Sequence, residues 1–434
     1  MKAPTIIRVV LAVTALAASA PASAELRIQI TRGVSEAVPV AVVPFAWESQ
    51  DRAPIDVAAV VAGDLASSGR FAPMDRRDMI SKPTRPEDVK LPDWRLLNVD
   101  VVVIGRVVPA GPGRYEIQFH VFDVYRGQPL MSFSLEAPGS SLRGAAHRVA
   151  DMIFEKLTGV PGVFSTRIAY VAVDQVNRKD VYRLVVADAD GANAAVIAES
   201  AEPIMSPAWS PDGARIAYVS FESGNSAIYV QELATGKRQA VSAGPGINGA
   251  PAWSPDGRQL AMTLSRQDGN LDIYVMDLAA RKSRRLTQNP AIDTEAAWAA
   301  DGRSLFFTSD RAGGPQIYEV GLDGGTPRRV TFEGSYNTRP RVSPDGKTLA
   351  VVHNDRGAYR IAAVDIDRGT VRVLSDGRQD ESPSFAPNGS MLIYATRDAG
   401  RAVLSAVSVD GRVQQRIAST EGDVREPVWS PYRR

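Results

Sequence analysis

The sequence predicts an α/β N-terminal domain followed by an all-β six-bladed propeller closed by the C-terminal strand. Three observations carry this expectation. One phrase returns six times: PAWSPDG from Pro207, PAWSPDG from Pro251, AAWAADG from Ala296, PRVSPDG from Pro340, PSFAPNG from Pro383 and PVWSPY from Pro427. Its anchors, Trp209, Trp253, Trp298, Val342, Phe385 and Trp429, lie 44, 45, 44, 43 and 44 residues apart, a period that belongs to propeller blades. The ends of the repeat are also complementary. The strand pattern Ile168 to Val171 has no phrase before it, and the phrase at Trp429 has no second strand behind it. The C-terminal strand is therefore expected to become the innermost strand of the first blade, removing two open sheet edges.

The elements follow in order along the chain. Lys2 and Arg8 flank the start of an apolar run, and Ala22-Ser23-Ala24 has the small residues a signal peptidase cuts after, so residues 1–24 read as a signal peptide and the mature chain as beginning at Glu25. Residues 25–32 alternate polar with apolar, placing Leu26, Ile28 and Ile30 on one face of an extended strand. Two homes are open to it: the front domain's own sheet, or the sheet edge of another protein.

Residues 33–162 lack the repeat and read as a mixed α/β domain. Val40 to Phe45 is a strand pattern. Residues 55–65 carry apolar groups at helical spacing, with Val57, Val60, Val61, Asp64 and Leu65 on one side. Strand patterns return at residues 99–108, 115–124 and 131–135, and an amphipathic helix over 142–157 is stopped by Gly159 and Pro161. Residues 163–434 are the propeller. Each unit has an anchor strand, a Ser-Pro-Asp-Gly turn suited to a hairpin, an apolar second strand such as Leu260 to Thr263, and a third such as Ile273 to Val275.

Composition excludes several functions. The full chain is 44% hydrophobic and 23% charged with net charge +1, and without Lys2 and Arg8 it holds 48 basic against 49 acidic residues. No basic field favours nucleic acid, and nothing after the signal is long and apolar enough to span a membrane. There is no cysteine, hence no disulfide or thiolate metal site.

The chemistry-bearing motifs are weak. His120, His147 and His353 have no mutual spacing and read as structural histidines. Gly346-Lys347-Thr348 imitates the end of a phosphate loop, but Arg341 stands where the first glycine belongs. The stretch from Asp188 to Asn193 is a hairpin turn that faintly resembles a calcium loop and lacks its distal glutamate. No G-x-S-x-G elbow exists. No catalytic residue, cofactor or metal site is expected.

What remains is the loop before each anchor strand. These loops carry Asn248, Gly249, Ala250, Thr294, Glu295, Asn337, Thr338, Arg339, Asp380, Glu381, Ser382, Arg425 and Glu426, a polar ring around one channel mouth and a plausible binding rim. A periplasmic ligand- or glycan-binding propeller and a cryptic propeller hydrolase are the alternatives. A glycan binder would show an aromatic platform, and the rim has little besides Tyr336.

The stretches VVPF at Val42, SGRFAPMDR at Ser68, VDVVVIGRV at Val99, FEKLTGVPGVFSTRIAYV at Phe154, FESGNSA at Phe221 and NLDIYVMDL at Asn270, with the domain order and the ending EPVWSPY, resemble the TolB family, periplasmic components of the Tol-Pal system of Gram-negative bacteria. The resemblance spans the whole mature chain. It implies a non-catalytic periplasmic adaptor, a monomer outside its complex, that supports outer-membrane integrity and envelope invagination during cell division. Its implied partners are the lipoprotein Pal, docking on the rim residues named above, and the C-terminal domain of TolA. The TolA-binding segment would be Glu25, Leu26, Arg27, Ile28, Gln29, Ile30, Thr31 and Arg32. Family members often carry histidine before Asn-Gly-Ala-Pro, whereas this chain has Ile247.

Overall fold

The computed structural model describes residues 26–32, 37–266, 269–419 and 422–433; the expected signal peptide and Glu25 lie outside them. The front domain is a sheet with helices on both faces. Strand β1 (Leu26–Arg32) stands apart from it, and the sheet is formed by β2 (Val38–Val42), β3 (Ala46–Trp47), β4 (Phe71–Pro73), β5 (Val101–Gly111), β6 (Arg114–Asp123) and β7 (Gln128–Pro138). The order is β4-β2-β5-β6-β7, with β3 also against β5. The β2 pairings to β4 and β5 are parallel, while β5, β6 and β7 form an antiparallel meander.

Helices α1 (Val57–Ser67) and α3 (Leu142–Thr158) cover one face. There Val61, Leu65, Val149 and Ile153 pack on Val103, Ile117 and Phe119, all fully buried. The other face carries a second core around Trp94 of the short helix α2 (Leu91–Leu96), with Val102, Ile104 and Val124. Asp56 caps α1 by accepting from Ala59 N at 2.9 Å, and Gly159 ends α3 with φ 73°, a left-handed position that suits glycine. The expected elements are all present. Strands β3 and β4 and helix α2 are additions, each too short to leave a periodic signal.

Residues 167–429 form six blades, each with four strands of its own. Blade 1 is closed by Asp423–Trp429, which pairs antiparallel with Arg167–Val176, so the first and last parts of the ring share one sheet. The inner strands of blades 2 to 6 are Ile204–Trp209, Asn248–Trp253, Asp293–Trp298, Asn337–Val342 and Glu381–Phe385. The anchors bind successive blades together. Trp209 Nε1 donates to Val428 O at 3.2 Å, Trp253 to Ala208 O at 3.1 Å and Trp298 to Ala252 O at 3.0 Å, each reaching back to the preceding inner strand. A buried indole needs a partner for its N–H, and in blades 2 to 4 the preceding inner strand supplies it. Arg167 and Arg215 lie over the rings of Trp209 and Trp253.

Strand β1 does not join the front domain's own sheet, the one expected home within this chain. It pairs antiparallel with Gln414–Ser419, the outer strand of blade 6, from Leu26 opposite Ser419 to Arg32 opposite Gln414. Blade 6 thus has five strands.

Candidate functional site

Strand direction fixes two faces of the ring. Inner strands run from a rim face, where the loops before each anchor strand lie, to a turn face built from the Ser-Pro-Asp-Gly hairpins. The front domain sits on the turn face against blades 1 and 6. Asn388 Nδ2 donates to Pro161 O at 2.8 Å, Gln415 Nε2 to Ser67 O, and Arg143 of α3 pairs with Asp190 in a blade 1 hairpin. Gly69 packs so closely on Val413 that an added Cβ would lie 2.5 Å from a valine methyl. Among the described residues the front domain makes its hydrogen bonds and ion pairs to the turn face and the outer edge of blade 6.

Each inner strand carries a bulge at the same place. The residue three before the anchor is left-handed in all six: Ser206 (φ 52°), Ala250 (45°), Glu295 (55°), Arg339 (54°), Ser382 (56°) and Glu426 (49°). None is glycine, so each position holds backbone strain of about 1 kcal/mol or more. The register slips at each bulge, as between Gly249 and Ala252 or Arg425 and Val428, which re-aims the side chain. The six residues line a central channel of 430 Å³ together with Arg341 and the prolines of the phrase.

The channel charges are largely matched. Arg339 Nε pairs with Glu295 Oε1 at 2.8 Å and its Nη1 donates to Ser382 Oγ. Burial opposes the Arg339 charge, but Glu295, Glu426 and Glu381 outweigh it and raise the pKa. Glu426 accepts from Ser206 N, and burial holds its pKa above the usual glutamate value. Arg341 donates to Pro340 O at 2.9 Å, and burial lowers its pKa.

The rim residues expected from the sequence divide into three groups. Asn248, Asn337 and Asp380 are not contact residues, because their side chains turn inward and are at most 1% exposed. Asn248 donates to Ser226 O at 3.0 Å and accepts from Ser242 Oγ at 2.7 Å. Asn337 binds Gln316 and Glu333 O, and Asp380 accepts from Ser375 Oγ, Thr396 Oγ1 and Gly377 N. These groups fasten the loops. Ala250, Glu295, Arg339, Ser382 and Glu426 line the channel. Gly249, Thr294, Thr338, Glu381 and Arg425 lie between: Thr338 is buried, Thr294 meets Thr263, Arg425 pairs with Asp423 at 3.0 Å, and Glu381 is exposed.

One feature of this face escaped the sequence reading. Ile247 and Ile292, at equivalent places before the inner strands of blades 3 and 4, are 50% and 46% exposed. On blade 5, Tyr336 stands at the same place and meets Tyr359 edge-on at 5.1 Å. An apolar arc spans three adjacent blades. The repeat could have located it, since all three residues stand six before their anchors.

The histidines are accounted for locally: His120 Nδ1 meets Ser132 Oγ at 2.8 Å, His353 Nδ1 meets Asn337 Oδ1 at 2.9 Å, and His147 Nδ1 meets Asp64 Oδ2 at 2.7 Å. The calcium-like stretch is a hairpin in which Asn193 donates to Asp188 at 2.6 Å. Between the domains lies a larger cleft of 1180 Å³, bordered by Asp64, Phe71, Phe154, Asp190, Arg412 and Trp429. No helix among the described residues is long and apolar enough to cross a membrane.

A ring capped on one face by a second domain and open on the other, around a narrow charged channel, defines a two-domain β-propeller protein whose free surface is built from loops. Residues 26–130 match the TolB amino-terminal domain and residues 154–433 the TolB beta propeller domain. The Tol-Pal system protein TolB of Thioalkalivibrio sulfidiphilus is 52% identical over 413 residues, covering 95% of both chains. That of Xanthomonas campestris pv. campestris is 49% identical over 439 residues, covering 100% of this chain and 99% of the other. The crystal structure of TolB from Acinetobacter baumannii superposes with a TM-score of 0.86 at 40% identity, covering 94% of this chain and 100% of that one. The chain belongs to the TolB family.

Proposed function

We propose that the chain is a non-catalytic periplasmic adaptor of the Tol-Pal system that docks Pal on the rim face and offers β1 to the C-terminal domain of TolA, in support of outer-membrane integrity and envelope invagination during division. The observation that carries this reading is the separation of two elements able to dock a partner on one chain. The rim face is open and presents an apolar arc. Strand β1 is held by main-chain pairing to one outer edge, with Gln29, Thr31 and Arg32 exposed.

The arc supplies what a docking centre needs: Ile247 and Ile292 are apolar and exposed, and Tyr336 with Tyr359 adds aromatic area beside them. Glu381 stays in water on the neighbouring blade. In β1 the main-chain groups that pair with blade 6 are the same ones that would pair with a different sheet edge, so the segment can exchange one edge for another.

The test is titration of purified Pal against the double variant Ile247→Arg, Ile292→Arg. Placing two charges in a desolvated contact is expected to weaken Pal binding at least about 30-fold, roughly 2 kcal/mol, while the melting temperature stays within a degree or two because both side chains are already in water. Unchanged Pal affinity would remove the arc from the docking surface.

A further inference from the structure

We propose that His147 is a proton-operated latch between the two domains, bridging Asp64 of the front domain and Asp190 of the propeller as an imidazolium. Its Nδ1 lies 2.7 Å from Asp64 Oδ2 on α1, and its Nε2 lies 3.7 Å from Asp190 Oδ2 in the blade 1 hairpin. The side chain is 1% exposed, and Nε2 is buried without a hydrogen-bond partner. A neutral imidazole that donates from Nδ1 presents an Nε2 lone pair to a carboxylate, which is repulsive. A second proton turns that orphan into a donor. The ring then satisfies both nitrogens and joins two domains with one side chain.

The surrounding charges favour the proton. Asp64, Asp190 and Asp188 face the ring from α1 and blade 1, and Asp151 faces it from α3. Against them stand Arg143, paired with Asp190, and Arg433, paired with Asp188 at 2.9 Å. Arg167 also acts on Asp188 from the first strand of blade 1. Asp151 is tied down by Phe164 N at 2.7 Å and Ser165 N at 3.1 Å. Burial alone would depress His147, but the hydrogen bond and charge of Asp64, with Asp190 and Asp188, outweigh it and lift the pKa above the ordinary 6.5. Burial also pushes Asp64 up to about 6. Asp64 and Asp190 both border the interdomain cleft, which gives protons a route.

The sign follows from linkage. A folded-state pKa raised above the unfolded value contributes stability that is complete below pH 6.5 and is lost as pH rises through the folded value. Asp64, which is neutral below about 6, holds its side of the ion pair only above that value, so the bridge is strongest between about 6 and the folded value of His147. The domain seam therefore loosens in base, leaving the blade cores untouched.

The test is an NMR titration of the His147 ring in the full mature chain, with calorimetry of the same protein between pH 5.5 and 9. The expected midpoint lies above 6.5, and the domains should melt as one transition in acid and separate toward two in base. Asp190→Asn should lower the midpoint by about one unit or more, and both Asp190→Asn and His147→Gln should flatten the pH dependence of melting. A midpoint at or below 6.5 in the parent protein would overturn the proposal, and this needs no variant to fold. So would an unchanged pH dependence in both variants, or a stoichiometric divalent ion that chelation removes together with the pH dependence.

Discussion

Removing residues 423–434 is expected to abolish the cooperative melt of the propeller near the parent temperature. The segment is the inner strand of blade 1, and its Val424 is fully buried in the core that joins blade 1 to blade 6. Trp429 packs on the same core and donates to Thr166 Oγ1 at 2.8 Å. Val428 O receives the Trp209 indole, and Ser430 exchanges two hydrogen bonds with the Arg167 backbone. Each buried apolar side chain lost costs about 2–5 kcal/mol. Two of them, with an exposed sheet edge, are comparable to the 5–15 kcal/mol that holds a typical domain folded. Deletion of β1, a seven-residue strand like Asp423–Trp429 itself, is the control. It uncovers the outer edge of blade 6 without opening the ring, so a shift of a few degrees is expected there. Similar melts for the two truncations would mean that closure does not hold the ring.

Asp380→Lys is expected to destabilise blade 6 by about 3–5 kcal/mol, because it removes a carboxylate that accepts three hydrogen bonds and leaves a cation buried. Its donors, Ser375 Oγ at 2.5 Å, Thr396 Oγ1 at 2.5 Å and Gly377 N at 3.1 Å, come from the outer loop, the second strand and the turn between them. Thermal unfolding should move down by roughly 10 °C in a propeller of this size. Glu381→Lys, one residue along and exposed, should move it by a degree or less. Equal shifts would contradict the division of the rim into fastening and contact residues.

That division marks where sequence reasoning stops. The six blades were legible because one anchor-and-turn phrase recurs at the inner strand of each, and the mismatched ends gave ring closure. The inward turn of Asn248, Asn337 and Asp380 was not legible. Strand alternation reads side-chain direction only in unbroken register, and a bulge interrupts every inner strand. The placement of β1 was half legible: its alternation announced a strand, but its partner lies at the other end of the chain, and no local pattern encodes such a pairing. His147 looked structural for the same reason. Asp64 is 83 residues before it, and Asp190 belongs to a hairpin whose turn chemistry alone explains its composition.

Two docking elements that act separately are tested most directly by binding of purified Pal and of the TolA C-terminal domain to the protein with and without residues 26–32. Loss of TolA binding with Pal affinity retained and the melt nearly unchanged is the predicted result; TolA still captured by the shortened protein, or both partners lost together, would contradict it.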